Sequence, residues 1–288
     1  MFRTISLASL QPVSVRGIII IPETTSRARL AASSYLNSAP LVWSFKHGSR
    51  KREVDLIEPV PSRCADLLAA GQVDVALIPA IEYQRIPDTK LVPEVCIASR
   101  QEVRSVILVT RLNDLNSIRS VALDESSRTS AALVKIIFRE FLAFEPRWVS
   151  SPPNAKQMLA DNDAALLIGD PAMTFPCEEG FTVFDIATLW RRYTNFGFVF
   201  AMWAIASGAP ASAHAIDFRE VRDDGLSRIE EIIDFYQPLL GLSRVELQAY
   251  LRENISFALD NELRAGLELY YKLAYQHALI PALKPLKL

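Results

Sequence analysis

The segment RCADLLAAGQVDVALIPA, Arg63 to Ala80, has the pattern of a helix that stops at Gly71 and is followed by a short buried strand. A second segment, AKQMLADNDAALLIGDPA from Ala155 to Ala172, has the same order, with its turn at residues 161–163. Continuous apolar strands that alternate with helices are typical of parallel sheets covered on both faces. The repeat therefore predicts an α/β protein with two similar lobes, although such units are common and indicate no particular function.

Two further apolar strands predict how the lobes are connected. SVILVT spans Ser105 to Thr110, and FVFAMWAIA spans Phe198 to Ala206, on either side of the second helix–strand unit. If both strands cross between lobes, residues 27–110 and 200–288 form lobe 1 and residues 111–199 form lobe 2. This is the layout of two-lobed binding proteins that close about a hinge.

The chain after Ala206 is predicted to be helical. Apolar residues recur at spacings of three and four in Asp223 to Leu240, Ser243 to Phe257 and Asp260 to Leu279. Ser243 and Asp260 are expected to be N-caps, because their side chains accept hydrogen bonds from free N–H groups at a helix start.

Composition excludes several classes of protein. The 288 residues are 50% hydrophobic with a net charge of −2, and the 31 Lys and Arg are dispersed, which argues against nucleic-acid binding. No apolar stretch approaches the roughly 20 residues of a membrane helix. Cys64, Cys96 and Cys177 form no CxxC pair and suit a reducing cytoplasm. Residues 1–26 are expected to be a poorly ordered extension rather than a secretion signal.

The stretch SSYLNSAP, Ser33 to Pro40, is the first candidate binding segment. It places Asn37 and Ser38 where a first strand ends and a helix begins. Ligands of open α/β sheets bind at the carboxyl ends of strands and beside helix N-termini. A turn rich in Asn, Ser and Pro for backbone reasons alone is the alternative.

The stretch DESSRTS, Asp124 to Ser130, is the second candidate. It surrounds a helix start with the hydroxyls of Ser126, Ser127, Thr129 and Ser130. Free N–H groups and hydroxyls at such a position bind carboxylates or phosphates. Ordinary capping of the helix by a serine is the alternative, although three further hydroxyls exceed what one cap requires.

The sequence contains no familiar catalytic constellation. His47, His214 and His277 fit no metal or triad spacing, and neither a GxSxG elbow nor a Gly-rich phosphate loop is present. The candidate acid–base groups are therefore three carboxylates near predicted strand ends: Glu82, Asp124 and Asp170. A structural role is the preferred interpretation for each of them. The residues thus predict a binding cleft without an evident proton-transfer pair.

Six motifs together resemble the chorismate dehydratases of the futalosine route to menaquinone: SYLNSAP, LLAAGQVDVALIPAIEYQRIPD, VRSVILVT, VALDESSRTSAALVKI, ALLIGDPA and FVFAMWA. The resemblance extends from about Arg29 to Ile280. It implies a two-lobed type II periplasmic-binding-protein fold with two hinge crossovers and a helical C-terminal part. It also implies chorismate as the substrate and neither a metal nor an organic cofactor. We expect a cytoplasmic monomer or homodimer with no nucleic-acid or membrane partner.

The resemblance also assigns roles to residues by motif position. Asn37 and Ser105 match the polar positions at the reacting part of the substrate and are the candidate catalytic residues. The candidate substrate-binding residues are Tyr35, Ser38, Ser126, Ser127, Thr129, Ser130, Gly169 and Asp170. Asn195 and Gly197 depart from the Gly and Pro common in the family, and Ala80 stands where some members have Ser. These departures affect the expected cleft wall.

Two other functions fit the same fold. A solute-binding receptor would normally be exported, and no convincing export signal or lipid-attachment cysteine is present. The sister enzyme that forms dihydroxynaphthoate is expected to carry a Cys- and Asp-containing motif where this chain has YLNSAP. Fold analogy alone excludes neither alternative.

Overall fold

The computed structural model describes residues 27–176 and 179–287, so the expected extension 1–26 and Cys177 lie outside the described residues. The described chain forms two five-stranded sheets. The strands of the first are β1 (Ala28–Ala31), β2 (Val54–Ile57), β3 (Val75–Pro79), β4 (Lys90–Ser99) and β10 (Phe198–Ile205). Those of the second are β5 (Val106–Thr110), β6 (Ser120–Asp124), β7 (Arg147–Ser151), β8 (Ala164–Ile168) and β9 (Thr182–Asp185). The two expected lobes are thus present.

The sheets have matching strand orders, β2-β1-β3-β10-β4 and β7-β6-β8-β5-β9. The expected all-parallel pairing is wrong. In each sheet four strands run in one direction and one runs in the opposite direction: β10 lies antiparallel between β3 and β4, and β5 lies antiparallel between β8 and β9. Both antiparallel strands follow a crossing from the other lobe, and a buried apolar run carries no signal of its direction.

The crossings lie at residues 100–105 and 186–197. β5 therefore belongs to the second sheet, although its residues were expected in lobe 1, and β10 enters the first sheet at Phe198 rather than at residue 200. Asp185 fixes the first crossing because its Oδ2 accepts the N–H groups of Val103 (3.0 Å) and Arg104 (2.7 Å). Arg104 has a φ of +61°, a left-handed conformation that is unusual for a side chain with a Cβ.

Helices cover both sheets and form the C-terminal part. They are α1 (Ala39–Lys46), α2 (Pro61–Ala69), α3 (Thr129–Ile136), α4 (Ala155–Asp161), α5 (Asp170–Met173), α6 (Ile186–Thr194), α7 (Ala211–His214), α8 (Phe218–Ser227), α9 (Ile229–Leu240), α10 (Arg244–Ala249) and α11 (Asn261–Gln276). The units α2–β3 and α4–β8 confirm the repeated helix–strand order. Of the helices in the described ranges, none combines the length and apolar character needed to cross a membrane.

The C-terminal helices differ in part from expectation. The single helix expected over Asp223 to Leu240 is two helices, because α8 ends with a tight bond from Arg228 N–H to the Gly225 carbonyl (3.1 Å). Ser243 caps α10, and Asp260 caps α11 through the Leu263 N–H, as expected. After α10 the chain continues as a wider turn, residues 250–254, rather than as the expected helix.

Candidate active site

A cavity lies between the lobes and contains about 580 Å³ of empty space, including its open mouth. Nine of the ten expected site residues line it: Tyr35, Asn37, Ser38, Ser105, Ser126, Ser127, Thr129, Ser130 and Gly169. Apolar side chains form the rest of the wall, among them Leu77, Ile97 and Phe200. A mostly apolar pocket with convergent polar groups is the usual form of a small-molecule site.

The lobe 1 wall is the turn that joins β1 to α1. The hydroxyls of Ser33 and Ser38 form a hydrogen bond of 2.7 Å that closes this turn. The Ser38 hydroxyl also donates a weak hydrogen bond to Asn37 Oδ1 at 3.4 Å. Neither Tyr35 nor Ser38, which precede the short turn of helix and α1, makes a side-chain cap. The Ser38 hydroxyl therefore stabilises the turn, and Ser38 and Asn37 both line the cavity.

The lobe 2 wall is the start of α3. The residue before the helix is Arg128, which makes no side-chain cap, so the alternative of ordinary capping by a serine is not observed. Ser126 Oγ donates to Asp124 Oδ1 (2.6 Å), and Thr129 Oγ1 accepts the Ile81 N–H (3.2 Å). Ser127 Oγ, on a residue only 7% exposed, has no partner among the described residues. A buried donor without a partner is costly, and a ligand in the cavity can supply one.

Ser105 lies at the crossing between the lobes and is completely buried. Its Oγ accepts a hydrogen bond from the phenol of Tyr250 at 2.7 Å. Burial raises the pKa of Tyr250. In the sequence, Tyr250 has the same spacing as the apolar residues of a helix, and no local pattern marks it as a site residue.

Tyr35, Gly169 and Asp170 join the lobes at one edge of the cavity. The Leu36 N–H donates to Asp170 Oδ1 (2.9 Å), and the Gly169 N–H donates to the Ser105 carbonyl (2.8 Å). Burial raises the pKa of Asp170 to about 6, against a lowering by the Leu36 N–H. Burial likewise raises the pKa of Tyr35, and a hydrogen bond with Ser126 opposes this. Asp170 therefore lies at the edge of the cavity and does not line its wall.

Arg128 is the one charged residue in the described cavity lining, and it forms a bridge between the lobes. Its guanidinium donates to Glu82 Oε2 (2.9 Å) and to Asp66 Oδ1 (2.7 Å), both in lobe 1. Glu82 also accepts from Arg85 at 2.6 Å. Glu82, which the sequence offers as a candidate acid–base group, thus forms ion pairs with two arginines. These contacts favour a structural role for it.

Asp124 is the remaining candidate carboxylate. It is 1% exposed, lies behind the Ser126 hydroxyl and does not line the cavity. Burial raises its pKa, and the two hydrogen bonds from Ser126 lower it. Its position favours a structural role, in which it orients the start of the DESSRTS loop.

The three departures from the expected family pattern lie outside the cavity wall. Asn195 ends α6 with a φ of +63°, a conformation that Asn adopts more readily than most residues, so it can stand in for Gly. Gly197 donates its N–H to Glu262 Oε1 (3.3 Å), a bond that Pro could not make. The Ala80 carbonyl accepts from Tyr271 OH (2.7 Å). These substitutions therefore leave the cavity lining unchanged.

Solved structures share this fold at low sequence identity. Protein AF1704 from Archaeoglobus fulgidus matches with a TM-score of 0.73 and 17% identity, over 88% of this chain and 98% of that chain. The periplasmic aliphatic sulphonate binding protein SsuA from Escherichia coli matches with a TM-score of 0.60 and 16% identity, over 89% of each chain. These likenesses confirm the periplasmic-binding-protein fold and carry no information on the ligand.

Sequence comparisons are more specific. A chorismate dehydratase from Thermus thermophilus is 31% identical in an alignment of 259 residues that covers 84% of this chain and 93% of that protein. The model of a family described as menaquinone biosynthesis matches residues 28–276, nearly the whole described chain. This chain therefore belongs to the menaquinone biosynthesis family.

Proposed function

We propose that this protein dehydrates chorismate to 3-[(1-carboxyvinyl)oxy]benzoate, in the futalosine route of menaquinone biosynthesis. Family membership and the likeness to the Thermus thermophilus chorismate dehydratase support the reaction. The observation that carries the proposal is the cavity between the lobes, where Asn37 and Ser105 lie on one side and the start of α3 on the other. Chorismate carries two carboxylates, so two separate sets of donors suit it.

The reaction removes one water from the ring. A proton leaves the carbon that bears the enolpyruvyl ether, the hydroxyl on the neighbouring carbon leaves with its bonding electrons, and the electron pair of the C–H bond completes the aromatic ring. Aromatisation supplies the driving force, so the protein has mainly to orient the dianion and exclude bulk water. In this proposal the start of α3 and Ser127 bind the ring carboxylate, and Asn37 and Ser105 hold the enolpyruvyl carboxylate.

The enolpyruvyl carboxylate of the substrate is the proposed proton acceptor. The only charged side chain in the described lining, Arg128, is already paired with Glu82 and Asp66. A carboxylate held by neutral hydroxyl and amide donors keeps more of its basicity than one paired with a guanidinium, which would lower its pKa further. The neutral lining thus favours a mechanism in which the substrate carries its own base.

Incubation of the purified protein with chorismate tests the function. Mass spectrometry should find a product lighter than chorismate by one water, at a rate well above that of a protein-free control. Unchanged chorismate with tight binding would instead support a receptor. If the protein neither converts nor binds chorismate, then chorismate is excluded as the ligand. The dihydroxynaphthoate-forming enzyme would then become the next candidate.

The proposal includes a cytoplasmic location and a monomeric or homodimeric state, with no nucleic-acid or membrane partner. The free thiols of Cys64 and Cys96 are compatible with a reducing compartment, where disulfides are rare. Cell fractionation and size-exclusion chromatography with light scattering test both parts.

A further inference from the structure

Tyr250 lies directly behind the proposed catalytic pair without lining the cavity. It is the first residue of the wide turn that follows α10, and it is completely buried. Its phenol donates to Ser105 Oγ at 2.7 Å, across 145 positions of the sequence. The C-terminal helical part therefore contacts the crossing between the lobes at one of the two residues that matter most for the reaction.

The direction of this hydrogen bond determines what Ser105 can do. A phenol has one proton, whereas a serine hydroxyl has one proton and two lone pairs. Because Tyr250 donates its proton, Ser105 is the acceptor and keeps its own proton for another partner. No acceptor for that proton occurs among the described side-chain bonds of Ser105, and the hydroxyl lines the cavity. The arrangement leaves Ser105 as a donor toward a bound anion.

Other buried tyrosines of the described chain use their hydroxyls differently. Tyr271 donates to the Ala80 carbonyl (2.7 Å), and Tyr236 donates to the Ser34 carbonyl (2.8 Å). These bonds satisfy backbone groups, as expected of buried tyrosines. Tyr250 is bonded instead to the side chain of Ser105, a residue of the cavity lining, which a purely structural tyrosine does not require.

We propose that Tyr250 is a positioning residue for the dehydration, and that its phenol fixes Ser105 as a hydrogen-bond donor to the substrate carboxylate. This inference rests on the proposed function. Without the phenol, the Ser105 hydroxyl is free to rotate about its Cα–Cβ and Cβ–Oγ bonds. The hydroxyl remains present but is no longer pre-oriented, which affects the reacting complex more than binding.

The test compares Tyr250→Phe with Tyr271→Phe, since each variant removes one buried hydroxyl with a bond of the same length. Tyr250→Phe should lower kcat about tenfold to a hundredfold, because Ser105 then no longer presents its hydroxyl to the charged substrate in one fixed orientation, with a smaller change in KM. Tyr271→Phe should keep kcat within about twofold. Thermal unfolding should show similar losses of stability in the two variants.

A double-mutant cycle separates positioning from a general loss of structure. In a Ser105→Ala background, Tyr250→Phe should have at most a quarter of its single-mutant effect on log kcat. Equal kcat effects of Tyr250→Phe and Tyr271→Phe, full additivity with Ser105→Ala, or failure of Tyr250→Phe alone to fold would each overturn the proposal. A wild-type protein that does not dehydrate chorismate would instead refute the proposed function, and the positioning role with it.

Discussion

The ring of Tyr35 occupies the space that a side chain at position 169 would need. An ideal Cβ on Gly169 would lie 2.4 Å from Cδ2 of the tyrosine, closer than any stable contact between carbon atoms. Gly169 also has a φ of +63°, which favours glycine. These two residues belong to different lobes, so their contact sets how closely the lobes approach at this edge of the cavity.

Gly169→Ala should therefore lower activity by about tenfold or more, because Tyr35 must leave its place over the cavity before the lobes can close. The backbone strain at a positive φ should lower the free energy of unfolding by about 1 kcal/mol. Steady-state kinetics and urea unfolding measure the two effects.

Gly71→Ala is the matched control. Gly71 has nearly the same φ, +64°, but nothing lies within 4 Å of its ideal Cβ. The control should lose less stability than Gly169→Ala and keep its activity, because Gly169 also has a ψ of −145°, which is open almost only to glycine, and because its Cβ would meet Tyr35. Equal activities of the two variants would show that the contact between Tyr35 and position 169 does not matter for turnover.

The repeated helix–strand units could be predicted because both carry a local signal: an apolar helix face, a turn and a continuous apolar strand. The direction of β10 could not be predicted, since Phe198–Ile205 is apolar on both faces. Such a strand has the same sequence pattern whether it pairs parallel or antiparallel. Similarly, the hydroxyls of DESSRTS were visible in the sequence, but their different partners were not. Tyr250 lies 145 residues from Ser105 and has the spacing of an ordinary core residue. Long-range contacts of this kind leave no pattern in a single sequence.

The proposed roles of Asn37 and the carboxylates predict opposite outcomes for their variants. Asn37→Ala should lower kcat about tenfold to a hundredfold, because a donor to the substrate carboxylate is lost. Asn37→Asp should be worse, because it places a negative charge beside that carboxylate. Glu82→Gln and Asp170→Asn should retain most of their turnover. Loss of turnover in either of these two folded variants, with full turnover in Asn37→Ala, would contradict a substrate-borne base.

Asp170 predicts a pH dependence of stability. Its pKa of about 6 lies above the ordinary value of 3.8, so the native protein holds this proton more tightly than the unfolded chain. The resulting stabilisation is complete below the ordinary value and is lost as the pH rises through about 6. Relative to Asp170→Asn, the wild-type free energy of unfolding should therefore fall between pH 4 and pH 6.5.

Urea unfolding of both proteins across this range measures the difference, and other carboxyls cancel because both proteins contain them. The Asn variant is a close control, since its side-chain oxygen can still accept the Leu36 N–H. A constant difference in unfolding free energy across the range would contradict a raised pKa at Asp170.

Closure of the cleft depends on contacts of Arg128 between the lobes. Arg128 in lobe 2 contacts Glu82 and Asp66 in lobe 1, and these ion pairs exist only when the lobes are together. Arg128→Met should reduce the closed population, and the apparent affinity for substrate falls in proportion to the fraction of protein that is competent to bind. We expect KM to rise about tenfold, which corresponds to about 1.4 kcal/mol of lost closure energy, with a smaller change in kcat.

Arg29→Met provides the control for this experiment. Arg29 makes a two-pronged pair with Asp74 at 2.7 Å and 3.2 Å, but both residues lie in lobe 1, so its loss leaves the cleft contacts intact. Small-angle X-ray scattering should find a larger radius of gyration for ligand-free Arg128→Met than for Arg29→Met. The two radii should converge when product is added, because a bound dianion contacts both walls and draws the lobes together. Equal radii and equal KM values in the two variants would show that Arg128 does not control closure.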